Sequence, residues 1–246
     1  ICACLVGSEM CIRDRFKPYY GKYIMTFIIE DMVPPFYPDL PNMAGMDLGT
    51  DNIAAIACTD GSSVVYKGGA ILSANQFFAK QKASAVSILT KGKKHRHASS
   101  AFLNDLSLKH DCFLKDQMHK LSTAIVRYCI AHRIGILVVG TNRLWKQHAS
   151  MSKENNQKFV SIPHEKLRWM ISYKALIAGI EVIWQEESYT SKADCTAGDL
   201  IPVYGKEKTH LVFSGRRIER GLYLCKAGYC INADCNGAAN ILRKAF

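Results

Sequence analysis

The chain has 246 residues, and 48% of them are hydrophobic, which is enough to bury the core of one large domain or two small ones. No run approaches the roughly 18 apolar residues of a membrane-spanning helix, so the sequence predicts no membrane segment. Lys and Arg number 32 against 21 Asp and Glu. This net charge of +11 favours a polyanionic partner, with a merely basic enzyme as the alternative.

The first residues show neither periodicity nor turn signals. The segment LVGSEMCIRDR (Leu5–Arg15) resembles a translated sequencing-library adapter, so residues 1–15 are set aside as an artefact. The chain is therefore expected to be a fragment that lacks its true N-terminal part. Gly21–Asp31 is predicted to be a strand that ends in the Pro-rich segment Met32–Asn42.

From residue 44 onward, strand and helix patterns alternate. The predicted strands are Ala44–Leu48, Asn52–Cys58, Ser63–Tyr66, Ile134–Val139 and Ile180–Glu187. The predicted helices cover about Ser73–Leu89, Ser100–Arg133, Pro163–Ala178 and Asp234–Ala245. A three-stranded meander followed by helix–strand–helix–strand predicts an α/β, ribonuclease H-like fold, with a mixed five-stranded sheet flanked by helices.

The positive charge is concentrated in one quarter of the chain. Between Lys80 and Gln147 there are thirteen Lys and Arg and three Asp, a net charge of +10. The densest piece, KGKKHRH (Lys91–His97), is better explained by phosphate contacts than by a solvated loop. The residues predicted to contact nucleic acid are Lys91, Lys93, Lys94, Arg96, Lys109, Lys115, Arg143, Lys146, Arg216 and Arg217. For Arg216 and Arg217, a solvated loop is an equal alternative.

Two aspartates are candidate site residues. Asp47 lies inside a predicted strand between Met46 and Leu48, where a carboxylate is costly unless it is paired or binds a metal ion. Asp234 comes just before the last helix, a position where an Asp is most often an N-cap. Each motif alone is a weak signal.

Together, and with this order of elements, the two motifs resemble the RuvC-like nuclease domain of TnpB-type (OrfB) proteins. Insertion sequences encode these proteins, which are relatives of the compact type V CRISPR effectors. The resemblance covers about Tyr20 to Phe246. Its most specific segments are AGMDLGTDN, VVGTNRLWK, NNQKFVSIPHEKLRWMISYKA, GIEVIWQEESYTSKAD and INADCNGAANILRK. It implies that residues 16–43 are the tail of an upstream nucleic-acid-binding domain with its linker, and that residues 44–246 are the RuvC-like domain.

The resemblance also implies an activity, cofactors and partners. It implies RNA-guided DNA cleavage by two Mg²⁺ ions about 4 Å apart, one activating the attacking water and the other stabilising the leaving oxygen. Guide RNA and DNA are the implied partners, and the implied setting is transposition or DNA recombination near the nucleoid of a prokaryote. The ten cysteines lack framework spacing, which indicates a reduced, cytoplasmic protein. The oligomeric state is not predicted.

The family pattern has three acids, and this chain departs from it at the middle one. Asp47 matches the first acid and Asp234 the last, but the middle Glu falls on Gly140. Glu187, at the end of the neighbouring predicted strand, is the predicted replacement, with Glu186 as the fallback because side chains alternate along a strand. A subset of TnpB proteins with Val-Val-Gly at this strand carries a relocated glutamate. Asp47, Glu187 and Asp234 are therefore the predicted catalytic and Mg²⁺-binding residues.

Family members commonly carry a zinc ribbon before the last acid, built from two Cys-x-x-Cys pairs. Residues 192–233 contain no such pair, and a tetrahedral zinc site needs four ligands. This favours a degenerate ribbon without Zn²⁺ over a site built from Cys195, His210, Cys225 and Cys230.

The leading hypothesis is a TnpB-type, RNA-guided DNA endonuclease fragment. A nuclease-dead, RNA-guided DNA-binding repressor is the alternative, because it needs the basic surface but no acid triad. A resolvase-like enzyme acting on branched DNA without a guide is a third possibility. Mg²⁺-dependent plasmid cleavage with guide RNA, compared with that of Glu187→Ala, would separate the first two.

Overall fold

The computed structural model describes residues 15–26, 40–92, 99–141, 161–203 and 211–246. The chain divides into two compact units. One contains residues 1–33 and 73–117, and the other contains residues 34–72 and 118–246.

The first unit contains a hairpin and most of two long helices. Strand β1 (Arg15–Tyr19) pairs antiparallel with β2 (Lys22–Thr26) across a two-residue turn in which Tyr20 and Gly21 both have positive φ. The helices are α1 (Gly69–Thr90) and α2 (Ala101–Ala131), whose ends extend into the second unit. The Tyr19 hydroxyl donates a hydrogen bond to the Asp111 carboxylate on α2.

This hairpin differs from the single strand predicted at Gly21–Asp31. Arg15, set aside with the adapter-like residues, pairs with Thr26, whereas residues 1–14 and 27–39 lie outside the described ranges. Almost every side chain of the hairpin is exposed, so no alternation of apolar and polar residues marks its strands. The sequence therefore lacks the signal by which half-buried strands are recognised.

The second unit is built on a five-stranded mixed sheet. Its strands are β3 (Asn42–Asp47), β4 (Asn52–Cys58), β5 (Ser63–Lys67), β6 (Ile134–Thr141) and β7 (Glu181–Glu186). Their order is β5-β4-β3-β6-β7, with β3 antiparallel to β4 and parallel to β6, and with β6 parallel to β7. The predicted mixed five-stranded α/β fold is confirmed.

The centre of the sheet is covered by helices. The central strands read as nearly continuous apolar runs, as expected for parallel strands buried on both faces. Ala44, Met46, Leu137, Val138 and Val139 have no solvent exposure. The remaining helices of the described ranges are α3 (His164–Ile177) and α4 (Ala233–Ala245).

Helix α4 packs directly on the backbone of β3, at Gly45. A methyl group at Gly45 would overlap the carbonyl oxygen of Ala238 and lie 2.9 Å from the backbone nitrogen of Leu242. The absence of a side chain at this position therefore sets the distance between the helix and the sheet.

A second, smaller sheet lies in the region where the sequence predicts a ribbon. It consists of β8 (Arg216–Glu219), β9 (Leu222–Leu224) and β10 (Cys230–Asn232), all antiparallel. Tyr223, Cys225 and Ala233 form its small core.

The described residues include seven cysteines, all of which are free thiols. Among the described helices, none has both the length and the apolar character that crossing a bilayer would require.

Candidate functional site

Two of the predicted acids arrive at the same edge of the five-stranded sheet. Asp47 is the last residue of β3, and Gly140 lies near the end of the parallel strand β6. Gly140 is in register with Gln185 of β7, which lies two residues before Glu187. Because the carboxyl ends of parallel strands meet at one edge, Asp47 and Glu187 reach this edge together.

The Glu187 side chain lies over the glycine. A methyl group at Gly140 would be 2.7 Å from Glu187 Oε2 and 2.6 Å from Ile241 Cδ1 of α4. Both distances are shorter than a carbon atom permits, so a side chain at Gly140 and the present position of Glu187 exclude each other. The Glu187 carboxylate occupies space that a side chain on β6 would need.

Asp47 is buried within range of the charges of two other carboxylates. Burial raises the pKa of Asp47 to about 7, and the negative charges of Glu187 and Asp234 act in the same direction. Arg217 has the opposite effect on this pKa. A methyl group at Gly237 of α4 would lie 2.8 Å from Asp47 Oδ2, so the helix approaches this carboxylate closely.

The environment of Glu187 combines burial with two buried cations. Burial raises the pKa of Glu187 to about 6 and the charge of Glu186 adds to this shift, whereas the positive charges of Arg168 and Lys244 oppose it. Arg168 is 9% exposed, and its Nη2 donates to the carbonyl oxygen of Gly140 at 3.2 Å. Its Nη1 pairs with Glu165 at 2.7 Å. Arg168 therefore connects α3 to the end of β6, beside the glutamate.

Glu186 has different partners. Its Oε2 accepts a bond from Lys244 Nζ at 2.6 Å, and its Oε1 accepts bonds from the backbone and the hydroxyl of Ser188. Burial raises the pKa of Glu186, but these bonds outweigh it and the net shift is downward. Of the two neighbouring glutamates, Glu187 is the one whose charge acts on Asp47. Its catalytic role stays a prediction.

Asp234 is not the N-cap of α4. That position belongs to Asn232, whose side-chain oxygen accepts bonds from the backbone N–H groups of Asp234 and Cys235 at 2.9 and 3.1 Å. The Asp234 carboxylate is therefore available for other partners. It accepts a bond from Asn52 Nδ2 at 2.6 Å and pairs with Arg217 at 3.2 Å.

The predicted nucleic-acid-binding residues are only partly described. Lys91, Lys109 and Lys115 are exposed, and Lys109 forms an ion pair with Asp105 at 3.1 Å. Arg216 is exposed on β8. Lys93, Lys94, Arg96, Arg143 and Lys146 lie outside the described residues.

The three carboxylates are the type of ligand that Mg²⁺ prefers, but their spacing is not that of a metal site. Mg²⁺ prefers carboxylate oxygens, and Asp47, Glu187 and Asp234 supply them at one edge of the sheet. However, no group of three or more His, Cys, Asp or Glu side chains in the described ranges is placed closely enough to hold a metal ion. Among the three carboxylates, that of Asp234 is held by Asn52 and Arg217. Closing the site around a metal ion therefore requires them to approach.

The candidate zinc ligands are dissimilar in exposure. Cys225 is buried, Cys195 is half-buried and Cys230 is exposed. His210 lies outside the described residues.

Two residues next to the site, Asn52 and Arg168, were not identified by the sequence analysis. Asn52 begins β4 and reaches Asp234, but an Asn after a turn gave no signal of this contact. Arg168 could have been noticed, because it lies between apolar residues on the face of α3 that also buries Leu167 and Ile171. A buried charge at such a position usually has a specific partner.

Two family models match the chain. One, OrfB_IS605, described as a probable transposase, matches residues 32–146, and the other, the Cas12f1-like TNB domain, matches residues 164–241. Similar proteins include the TnpB-like protein ORF457 of Acidianus two-tailed virus, 24% identical over 209 residues, which are 82% of this chain and 42% of that protein. The CRISPR-associated endodeoxyribonuclease Cas12f1 of Sulfoacidibacillus thermotolerans is 27% identical over 247 residues, covering 96% and 52%.

Solved structures align with the α/β fold described above. The cryo-EM structure of a Cas12f1-sgRNA-target DNA complex aligns with a TM-score of 0.58 at 19% identity, over 94% of this chain and 56% of that one. A CRISPR-Cas12f ternary complex aligns with a TM-score of 0.55 at 18% identity, over 89% and 41%. The chain thus spans about half the length, or less, of these relatives.

Proposed function

Because this chain is a TnpB-type relative of the compact type V CRISPR effectors, we propose that it carries the nuclease domain of an RNA-guided DNA endonuclease. The proposed reaction is hydrolysis of a DNA phosphodiester bond with Mg²⁺, and the proposed partners are a guide RNA and DNA. One observation carries the proposal. Glu187 Oε2 occupies the space over Gly140, and the charges of Glu187 and Asp234 both act on Asp47.

Each residue has a role that follows from its surroundings. Asp47, Glu187 and Asp234 would hold the metal ions, and Asp47 is central because its charge interacts with both of the others. When bound, the ions supply Lewis-acid charge and lower the pKa of a water molecule. Asn52 orients Asp234 through its 2.6 Å hydrogen bond. Arg217 supplies positive charge beside the same carboxylate.

The test compares two adjacent glutamates. We expect Glu187→Gln to slow the cleavage of labelled, mixed-sequence single-stranded DNA in MgCl₂ or MnCl₂ by about 100-fold or more, since it removes a metal ligand. Glu186→Gln is the matched control and should retain activity within a few-fold, because Glu186 is bonded to Lys244 and Ser188. The rise in melting temperature on adding MnCl₂ should follow the same order. Equal cleavage by Glu187→Gln and the unmodified chain would refute the assignment.

A second test moves the glutamate from position 187 to position 140. Gly140→Glu alone should reduce activity, because the new side chain and Glu187 compete for the same space. Combined with Glu187→Ala, it should recover part of the lost cleavage. A double variant that is as inactive as Glu187→Ala would mean that the two positions are not interchangeable.

A second candidate is a repressor that binds DNA with a guide but does not cut it. It is favoured by the absence, within the described ranges, of a three-residue group that is already close enough to hold a metal ion. Under this proposal, the chain would bind single-stranded DNA but show neither cleavage nor a melting shift with Mg²⁺ or Mn²⁺.

A further inference from the structure

Two turns at the base of the small sheet each carry one thiol where a zinc ribbon needs two. Cys195 is followed three residues later by Gly198, and Cys225 is followed three residues later by Gly228. Both glycines have positive φ, 71° and 88°. The second turn contains two backbone hydrogen bonds, from Gly228 N to the Cys225 carbonyl and from Cys225 N to the Tyr229 carbonyl, both 2.9 Å.

A buried carboxylate joins these two turns. Asp194 has no solvent exposure, and its Oδ1 accepts bonds from the Thr196 backbone at 2.9 Å and the Thr196 hydroxyl at 2.7 Å. Its Oδ2 accepts a bond from the Lys226 backbone in the second turn at 2.7 Å. Each oxygen is therefore bonded to a different turn, which is the arrangement a cross-link requires.

A second aspartate extends the connection. Asp199 Oδ2 accepts bonds from the backbone N–H groups of Asp194 and Ser214, both at 2.9 Å, and its Oδ1 accepts one from the Ser214 hydroxyl at 2.6 Å. Arg243 of α4 donates to the carbonyl oxygens of Asp194 and Asp199 at 3.3 and 3.0 Å. The network thus ties the first turn to the segment entering β8 and to α4.

Two asparagines of α4 also bind the segment that leads into the first turn. Asn236 donates to the Ala193 carbonyl at 2.8 Å and accepts from Cys195 N at 3.0 Å. Asn240 donates to the carbonyls of Thr190 and Ala193 at 2.9 and 2.7 Å. Both asparagines are fully buried, so these bonds replace contacts with water that folding removes.

Within the described residues, which do not include His210, the donor set does not fit a structural zinc ion. Such an ion needs four ligands, and the two turns offer the thiols of Cys195 and Cys225 with glycines in the remaining knuckle positions. The nearest further thiol in the sequence, that of Cys230, is exposed on β10.

We propose that the Asp194 carboxylate takes the place of a structural metal ion in this ribbon, joining its two turns so that the ribbon folds without zinc. Burial alone would raise the pKa of Asp194, but its hydrogen bonds outweigh burial and lower it, which agrees with a carboxylate held ionised by its donors. The proposal does not depend on the nuclease function.

The first experiment uses the unmodified 246-residue chain. Its zinc content is measured by inductively coupled plasma mass spectrometry, and its melting temperature is measured with and without a zinc-selective chelator. We expect zinc far below one ion per chain and no change in melting temperature on chelation, since only metal-dependent folds are denatured by chelators. One bound zinc per chain, or a chelator-induced drop in melting temperature, would overturn the proposal.

The second experiment compares Asp194→Asn with Glu219→Gln, a change of an exposed carboxylate on β8 of the small sheet. In Asp194→Asn an amide N–H₂ replaces one acceptor, so it faces a backbone N–H donor of Thr196 or Lys226. We expect a loss of about 5 °C or more in melting temperature for Asp194→Asn and less than about 1 °C for Glu219→Gln. Equal melting of the two variants contradicts the proposal. If Asp194→Asn does not fold, the zinc content and chelator response of the unmodified chain decide.

Discussion

Glu187 and Glu186 are adjacent in sequence and nevertheless have opposite surroundings. Lys244, whose side chain is only 4% exposed, neutralises Glu186 at 2.6 Å and also donates to the carbonyls of Ser188 and Pro202. Glu187 instead lies against Gly140, and although the charges of Arg168 and Lys244 both act on it, burial keeps its pKa raised. Glu186 is paired with Lys244, whereas the charge of Glu187 acts on Asp47. Of the two glutamates, Glu187 is therefore the one that combines burial with a position near Asp47.

Metal binding is expected to depend on pH through Asp47. Its pKa is raised to about 7 by burial and by neighbouring carboxylates, so at pH 6 most chains carry a proton that a divalent ion must displace. We expect Mn²⁺ affinity to rise about tenfold from pH 6 to pH 8, measured by calorimetry or by the melting shift. An affinity that is equal at the two pH values would contradict this prediction.

Stability of the metal-free chain should change in the opposite direction. The folded pKa of Asp47 lies above its unfolded value of 3.8, so the folded state binds this proton more tightly. The resulting stability is present below about pH 4 and is lost as the pH rises through about 7. Asp47→Asn is the control: its melting temperature should fall less than that of the unmodified chain between pH 6 and pH 8, without metal.

At the scale of elements, α4 is the part on which the site depends most. Gly237 borders Asp47, Ile241 lies over the end of β6, and Lys244 holds Glu186. Ala238 contacts β3 where Gly45 leaves room for it. The position of one helix therefore fixes the surroundings of several acids.

We expect Gly45→Ala to destabilise the fold by about 3 kcal/mol or more, because the new methyl group meets backbone atoms of α4 that cannot rotate away. The measurement is the free energy of unfolding in urea. Gly69→Ala is the control, since a methyl group there meets no atom within 4 Å, and its effect should stay below about 1 kcal/mol. Similar losses in the two variants would show that α4 does not pack on Gly45 as described.

The elements that could be predicted from the sequence are those in which apolar residues recur on one buried face. The bounds Asn52–Cys58 agree with the structure to the residue, and α2 and β7 agree within two residues, since their apolar residues follow the expected periods. The start of α1 was missed by four residues because its first residue, Gly69, is a poor helix former. Strand β2 lies within the predicted strand Gly21–Asp31, but β1 and its pairing with β2 were missed because these exposed strands carry no alternation.

The candidate site was predictable only as far as strand ends could be located. The family resemblance implied Asp47 and the acid missing at Gly140, and the strand order that it implied led to Glu187 at the end of β7, which is parallel to β6 in the structure. The roles of Asn232, Arg217 and Arg168 depend on which loop lies beside which helix end, and no local pattern encodes that. The cap of α4 is an example, because Asn232 and Asp234 are equally good capping residues by type.

At the scale of the whole molecule, a net charge of +11 should dominate DNA binding. We expect the affinity of the chain for single-stranded DNA to fall steeply with salt. The double variant Lys109→Gln/Lys115→Gln should reduce the slope of log affinity against log salt by about 1.4 if both lysines contact phosphates. Lys67→Gln, an exposed lysine on β5 outside the predicted set, is the control and should leave the slope unchanged.

The dependence of the site on α4 has a consequence for synthesis on the ribosome. Asp234 is made 187 residues after Asp47 (234 − 47), which takes roughly 10–40 s at about 5–20 residues per second. During that interval the nascent chain has Asp47 but neither Asp234 nor the helix that covers the end of β6. The three acids proposed to bind metal ions are therefore not all present on one nascent chain until the start of α4 has been translated.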